Sequence, residues 1–212
     1  MNKKLIEAIQ ASYPNVHIVM ASKYLETFAD FKPFLDNDFY HFGENRVEAI
    51  LEKQLFLKDY PIKWHFIGTL QTKKVKKVIN DIDTLHSLDR YKLAEEIEKR
   101  REKVLPCYIQ VNISDETSKH GLDSHAVESF VDSIKDFKKI KVIGLMGMAA
   151  ETSDHALIKK QFTKLKDLRD TLNNKYKDIN GLSIGMSSDY QIALEVGATV
   201  LRLGRILLSE GS

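Results

Sequence analysis

Short apolar segments and helix-like segments alternate along this chain, and the alternation restricts its fold more than any other feature. Eight segments rich in apolar or β-branched residues have the length and composition of strands; they lie at residues 16–22, 38–44, 63–68, 84–89, 106–114, 141–148, 181–187 and 199–205. Segments with a helical spacing of apolar residues separate them. Strict alternation predicts a parallel sheet, and eight such units predict closure into an α/β barrel of the (β/α)8 TIM type.

An open doubly wound sheet is the competing architecture. That fold commonly carries a G-x-G-x-x-G turn after its first strand or a Walker lysine loop, and the sequence contains neither pattern. The chain also has no linker rich in proline, glycine or serine. We therefore expect residues 1–212 to form a single barrel domain.

The charge balance and the cysteine content restrict the class of partner. The chain has 32 basic and 30 acidic side chains, a net charge of +2, so no broad field draws it to nucleic acid or to an anionic membrane. Its apolar runs are too short to cross a bilayer, and its basic N-terminus has the spacing of an amphipathic helix rather than of a signal peptide. The single cysteine, Cys107, cannot form an internal disulfide, which fits a reducing cytoplasm. We expect a cytoplasmic protein whose partner is a small molecule.

A lysine stands where the first predicted strand ends. The segment "HIVMASKYL" leads from buried-type residues directly to Lys23. In barrels of this type the chemistry gathers at the carboxyl ends of the strands, where a lysine loses hydration, its pKa falls and its amine can attack a carbonyl to form a Schiff base. The other interpretation is an ordinary lysine with its stem on the core and its ammonium group in water.

Capping signals follow the second and the seventh predicted strands. In "NRVEAILEKQLFL", Asn45 and Glu48 have the spacing of a capping box. In "SIGMSSDYQIALEVGA", Ser188 is the expected N-cap, with Gln191 at the capping-box position and Gly197 as the end signal. A helix that begins directly at a strand exit presents free backbone N–H groups to an anion.

A phosphate site is the anion site that this architecture favours. Ser187 adds a hydroxyl beside the expected helix start, and Gly204, after the eighth strand, allows backbone amides to approach closely. Simple helix capping is the alternative explanation. Together with Lys23, a phosphate site suggests pyridoxal 5′-phosphate, which carries both an aldehyde and a phosphate.

Arg202 lies two residues before this glycine, at a position expected to face the barrel interior. A buried arginine needs a partner, which is either a carboxylate such as Glu44 or Asp89, or the ring nitrogen of the cofactor. Because arginine does not give up its proton, it would keep that nitrogen unprotonated and weaken the ring as an electron sink. This favours holding the cofactor over carbanion chemistry.

Several motifs resemble those of a known family in composition and in order. They are "ASKYL", "HFGENRVEAI", "WHFIGTLQTKK", "LHSLDR", "IQVNISDETSKHGL", "GLMGM" and "LSIGMSSDYQIALEVGATVLRLGR". The sequence is similar to the YggS and PROSC-like pyridoxal phosphate homeostasis proteins, whose barrel resembles the N-terminal domain of alanine racemases. The resemblance implies that the cofactor is pyridoxal 5′-phosphate and that it is bound by Lys23, Asn45, Ser187, Arg202, Gly204 and Arg205.

Within that set the resemblance also implies individual roles. Lys23 carries the Schiff base, Arg202 faces the ring nitrogen, and the remaining residues lie near the cofactor or its phosphate. Two departures from the family pattern stand out. Arg205 replaces a small hydroxyl residue, which removes one side-chain hydrogen bond to the phosphate, and residues 72–74 read Thr-Lys-Lys where Ser-Asn-Lys is usual.

The expected function is to carry and buffer pyridoxal phosphate, with effects on amino-acid and keto-acid pools, and without catalytic residues. Apo-enzymes that use the cofactor are the expected recipients, and we expect a monomer. The alternative is a low-activity amino-acid racemase. Such an enzyme needs a second base, which relatives take from an added C-terminal domain, and the sequence runs only seven residues beyond Arg205.

A metal-dependent barrel hydrolase is a further alternative from another class. His41, His65 and His86 lie near the ends of the second, third and fourth predicted strands, a layout compatible with metal ligands. No H-x-H or H-E-x-x-H pair supports this interpretation, and each histidine has apolar or aromatic neighbours. We therefore expect no metal site.

Overall fold

Parallel strands, paired in the order of the chain, close into a barrel in the computed structural model, which describes residues 1–114 and 120–208. The strands are β1 (His17–Ala21), β2 (His41–Glu44), β3 (Lys63–Phe66), β4 (Thr84–Leu88), β5 (Leu105–Gln110), β6 (Ile140–Met146), β7 (Gly181–Ser183) and β8 (Val200–Leu203). Strand β8 pairs with β1 and so closes the ring, which protects both strands from pairing with another chain. The predicted (β/α)8 architecture is confirmed, and the open doubly wound sheet is wrong.

Helices precede β1 and follow each strand up to β7. They are α1 (Lys3–Ser12), α2 (Phe28–Leu35), α3 (Val47–Leu57), α4 (Val75–Val78), α5 (Tyr91–Arg100), α6 (Val127–Ile134), α7 (His155–Lys175) and α8 (Tyr190–Val196). Each buries one apolar stripe against the barrel; on α5 the stripe includes Leu93 and Ile97, which are completely buried one turn apart. Each such side chain contributes about 1.5–3 kcal/mol to the stability of the fold. None of the helices in the described residues is both long and apolar enough to cross a membrane.

Seven of the eight strands end earlier than the sequence predicts, whereas β2 ends at Glu44 as predicted. Strand β7 ends at Ser183 and β5 at Gln110, each four residues before the predicted end (187 and 114). After β7 the chain leaves the extended conformation at Gly185, which has a φ of +89°. The residues beyond each strand therefore form loops at the mouth of the barrel, where the candidate site lies.

Both predicted capping boxes are wrong. Helix α3 begins at Val47 with Arg46 as N-cap, and Glu48 instead forms an ion pair with Lys74 at 2.8 Å. Asn45 remains in the strand-exit loop, where its backbone N–H donates to the Glu44 carboxylate at 3.1 Å.

At α8 the N-cap is Asp189 rather than Ser188, so Gln191 is not at the capping-box position. The Asp189 carboxylate accepts from the backbone N–H of Met186 at 2.6 Å and closes the loop before the helix. Gly197 ends α8 in the left-handed conformation, with a φ of 102°, as predicted.

Candidate functional site

A cavity of about 260 Å³ opens among the loops that follow the strands. Three of the predicted site residues, Lys23, Asn45 and Arg202, line it together. They come from the ends of β1, β2 and β8, which are neighbours in the closed ring. The walls also include Gln110, His120 and the methionines at 148 and 186, which sequence reasoning did not single out. An amine and a guanidinium therefore share one partly apolar cavity.

Lys23 lies in a short helical turn, Ser22–Tyr24, that directly follows β1. Its side chain is exposed, and its Nζ lies 4.9 Å from the centroid of the Tyr24 ring. The prediction that the Lys23 ammonium group loses its hydration is therefore wrong. The amine is accessible from solvent and also borders the cavity, which suits a group that must meet an incoming carbonyl.

A buried ion pair lies directly behind this turn. The Lys53 ammonium on α3 pairs with the Glu44 carboxylate at the end of β2, and both side chains are nearly inaccessible. Lys53 also donates to the backbone carbonyl of Ser22 at 2.8 Å, and the Ser22 hydroxyl donates to Glu44 at 3.1 Å. Since Glu44 also accepts from Asn45 N–H, the pair connects the backbones that carry Lys23 and Asn45.

Sequence reasoning missed this pair, although a signal for it exists. Val47, Ile50 and Leu57 form the buried stripe of α3, and Lys53 falls on the same face, three residues after Ile50 and four before Leu57. A charged residue on an apolar stripe needs a buried partner. Glu44, the last residue of β2, is a buried carboxylate and therefore also needs a buried partner.

Arg202 is buried within the barrel, and oxygens of Ser183 and Gly147 hold it. Its Nη1 donates to both the carbonyl and the hydroxyl oxygen of Ser183, each at 2.7 Å, and its Nη2 donates to the carbonyl of Gly147 at 3.1 Å. The two carboxylates considered as alternative partners are engaged elsewhere, Glu44 with Lys53 and Asp89 with Arg90, so that alternative is wrong. Burial lowers the pKa of Arg202 to about 10, which leaves it charged near neutral pH.

Ser187 and Gly204 meet at one edge of the mouth and do not line the 260 Å³ cavity itself. The Gly204 backbone N–H donates to the Ser187 hydroxyl at 3.1 Å. A Cβ on residue 204 would lie 3.3 Å from Cε2 of Tyr24 and 3.9 Å from the Ser187 hydroxyl oxygen. Glycine at position 204 therefore avoids a tight contact with the Tyr24 ring.

Arg205 begins the short helical turn after β8, and its side chain is exposed. Its guanidinium carbon lies 5.7 Å from the centroid of the Tyr24 ring. Tyr24 therefore has the cations of both Lys23 and Arg205 within cation–π range. Sequence reasoning did not predict this position for Tyr24.

Residues 72–74, which differ from the usual family triplet, lie in the short turn between β3 and α4. The Thr72 hydroxyl accepts from Arg90 at 3.3 Å, and Lys74 pairs with Glu48. Lys73 is exposed in the same turn. Part of the motif "IQVNISDETSKHGL", residues 115–119, lies outside the described residues.

The three histidines proposed as metal ligands do not converge on a common point. His41 Nδ1 lies 3.0 Å from His65 Nε2, and His65 Nδ1 lies 2.9 Å from His86 Nε2. Their ring nitrogens are thus hydrogen-bonded to one another in a row. Within residues 1–114 and 120–208, no cluster of potential ligands has metal-site geometry. The hydrolase interpretation has no support from this arrangement.

Comparison with known proteins bears on this geometry. The family model described as "Alanine racemase, N-terminal domain" matches residues 7–210. A pyridoxal phosphate homeostasis protein from Helicobacter pylori is 36% identical over 215 residues, covering 97% of this chain and 94% of its own. One from Aquifex aeolicus is 39% identical over 173 residues, covering 80% and 76%. This chain belongs to the pyridoxal phosphate homeostasis protein family.

The fold of this family member is also similar to the folds of solved structures. PipY of Synechococcus elongatus, in a structure with PLP bound, is 26% identical with a TM-score of 0.88, covering 99% of this chain and 100% of PipY. An alanine racemase from Clostridium difficile is 13% identical with a TM-score of 0.79 and shares the fold; the match covers 57% of that enzyme. The curated relatives are named as homeostasis proteins and not as enzymes, in agreement with the prediction.

Proposed function

We propose that this chain binds pyridoxal 5′-phosphate at the carboxyl ends of its strands, through a Schiff base on Lys23, and that it carries and buffers the cofactor. The observation that carries the proposal is that the Lys23 amine and the Arg202 guanidinium line the same cavity. The family membership supports it, as does the PLP-bound structure of PipY.

The residues present fit this cofactor. Pyridoxal phosphate supplies an aldehyde that condenses with a primary amine, and its phosphate requires hydrogen-bond donors. Among the described residues, Lys23 offers the only side-chain amine on the cavity wall. The Ser187 hydroxyl, which accepts from the Gly204 N–H, keeps its own hydrogen to donate, and the exposed Arg205 adds positive charge beside Tyr24. Arg202 presents a guanidinium to the cavity, and the wall also includes Asn45.

The same residues disfavour catalysis. Arg202 is a donor whose partners are the Ser183 oxygens and the Gly147 carbonyl, and a guanidinium cannot share a proton with an aromatic ring nitrogen as a carboxylic acid can. A ring that cannot be protonated is a poor sink for the charge of a carbanion. We therefore propose a carrier and do not assign catalytic residues. Alanine racemisation at roughly 1 per second or faster would contradict this assignment.

Several finer properties remain predictions. We infer that the cofactor is passed to apo-enzymes that require it and that amino-acid and keto-acid pools respond to the loss of the protein. A monomeric state, a cytoplasmic location and a single domain spanning residues 1–212 are further expectations. Mixing the loaded protein with an apo-transaminase and following the recovery of transaminase activity tests the transfer.

Borohydride reduction of the protein incubated with pyridoxal phosphate tests the proposed function. Reduction converts the imine to a secondary amine, so it should fix the mass of the cofactor irreversibly on the peptide that contains Lys23. Lys23→Ala should lose both the yellow colour and the label, while Lys92→Ala, which alters an exposed lysine on α5, should keep both. A label on Lys74, or none, would refute the assignment. Circular dichroism of both variants checks that the barrel is intact.

A further inference from the structure

A row of hydrogen-bonded polar side chains crosses the interior of the barrel. It begins at the exposed His41, the first residue of β2, and passes through the buried His65 and His86 on β3 and β4. His86 Nδ1 then meets the Ser183 hydroxyl on β7 at 2.9 Å, and Ser183 accepts from Arg202 at 2.7 Å. The row therefore connects the amino-terminal end of the barrel with the cavity.

Arg202 favours one direction for the hydrogen bonds in the row. A guanidinium only donates, so the Ser183 hydroxyl oxygen accepts from Arg202, and its own hydrogen has a partner when it points to Nδ1 of His86. A neutral His86 then carries its proton on Nε2 and donates to His65 Nδ1. By the same reasoning His65 donates from Nε2 to His41 Nδ1. All three rings are thereby held as neutral Nε2–H tautomers.

The surroundings of the row keep its buried members uncharged. Burial lowers the pKa of His65 to about 3 and holds the pKa of His86 well below its ordinary value. Desolvation also lowers the pKa of His41, but this ring remains exposed and is the point at which a proton from solvent can arrive.

Other charged and titratable groups face the row from neighbouring elements. Around His41 and His65 they are His17, Lys63 and Asp83; around His86 and Arg202 they are Tyr108 and Asp189. The Tyr108 ring stacks on His86 with a centroid distance of 4.7 Å. Asp189 and Tyr108 favour a charged Arg202, which in turn disfavours a second positive charge on His86.

We propose that His86 and Ser183 are positioning residues for Arg202, and that the row makes the hold on Arg202 depend on the protonation of His41 at the opposite end of the barrel. A proton added to His41 puts hydrogen on both of its nitrogens. Its Nδ1–H then faces the Nε2–H of His65, and the row stays hydrogen-bonded when His65 and His86 carry their protons on Nδ1 instead.

Reversal of the row has a consequence at the cavity. Ser183 would then receive hydrogen bonds from both His86 and Arg202, and its own hydroxyl hydrogen would lose its acceptor. The oxygen can accept both hydrogen bonds, but its own hydrogen is left without a partner, and the bond from Arg202 is weakened. We expect an anionic ring ligand beside Arg202 to bind more weakly once His41 is protonated. This ligand effect rests on the proposed function, whereas the tautomers and their coupling do not.

The first experiment uses the protein without ligand. Nitrogen-15 NMR of labelled histidines should show Nε2–H tautomers for His65 and His86 in the native protein. Ser183→Ala cuts the row while leaving the backbone carbonyls of residues 183 and 147 to hold Arg202, and it should shift the midpoint of the His41 titration by about 0.5 pH units or more. An unchanged midpoint, or Nδ1–H tautomers in the native protein, would overturn the proposal.

The second experiment measures binding of pyridoxine 5′-phosphate, which has the ring and phosphate but no aldehyde, between pH 5 and pH 8. The wild type should lose at least about threefold in affinity as His41 becomes protonated, beyond any change in His41→Gln. The glutamine amide of that variant can accept from His65 but does not titrate. His17→Gln removes an exposed imidazole whose ring centroid is 6.4 Å from that of His41 and whose charge lowers the pKa of His41. It should therefore keep the loss of affinity and move its midpoint to higher pH.

The two experiments separate the possible failures. Identical pH profiles for the wild type and His41→Gln would overturn the link between the row and the ligand. Absence of pyridoxine 5′-phosphate binding at every pH would count against the proposed function. The NMR measurement without ligand would then still test whether the hydrogen bonds of the row are coupled.

Discussion

Replacement of Lys53 by methionine tests the buried ion pair behind the Lys23 turn. Methionine keeps most of the apolar stem of this α3 residue but removes the ammonium group. The Glu44 carboxylate then stays buried with the hydrogen bonds from the Ser22 hydroxyl and the Asn45 N–H. The Ser22 carbonyl also loses its donor at 2.8 Å.

The expected loss of stability follows from the burial of the pair. The side chains of Lys53 and Glu44 are 8% and 0% exposed, so solvent cannot compensate the carboxylate that remains. Breaking such a pair from one side costs about 3–5 kcal/mol. A domain of this size has a total stability of roughly 5–15 kcal/mol, so Lys53→Met should shift the unfolding midpoint strongly.

Urea unfolding followed by the fluorescence of Trp64, the single and buried tryptophan, measures this change. The matched control is Lys32→Met, which breaks the Lys32–Asp36 pair on α2, where both side chains are more than half exposed. It should leave the midpoint nearly unchanged. Combining Lys53→Met with Glu44→Leu removes both charges and should recover part of the loss. A Lys53→Met change no larger than that of the control would refute the reasoning.

Three further outcomes are expected. Gly197→Ala should cost about 1 kcal/mol in urea unfolding, because φ is 102° there while, apart from the adjacent residues, no atom of the described chain lies within 4 Å of the added methyl group; no loss would contradict the strain argument. The unfolding free energy should be greatest above pH 6.5 and fall as the pH drops below it, because unfolding lets His65 and His86 take up protons that their lowered native pKa values exclude; a flat profile down to pH 4 would contradict this. Cys107 should react with a thiol reagent only after denaturation, because burial raises the pKa of its thiol, and rapid labelling of the native protein would show otherwise.

The architecture could be predicted because it depends on local periodicity. Apolar runs such as residues 16–22 and 141–148 can bury both faces only in a parallel sheet covered by helices, and eight of them match a closed ring. The position of Lys23 at a strand exit follows from the same pattern. The ends of the strands were predicted less well, since the loop residues after Ser183 and Gln110 are also apolar and differ from strand residues only in backbone conformation.

The partners of the charged residues were decided by the tertiary structure alone. A carboxylate was one of the two partners considered for Arg202, but closure of the barrel places Ser183 and Gly147 beside it. Glu44 meets Lys53 instead because α3 folds back over the end of its own strand. His86 reaches Ser183, 97 residues further along the chain, because both side chains point into the barrel interior. Sequence periodicity identifies which residues face inward, but only closure of the ring brings distant strands within hydrogen-bond range and selects the contacts.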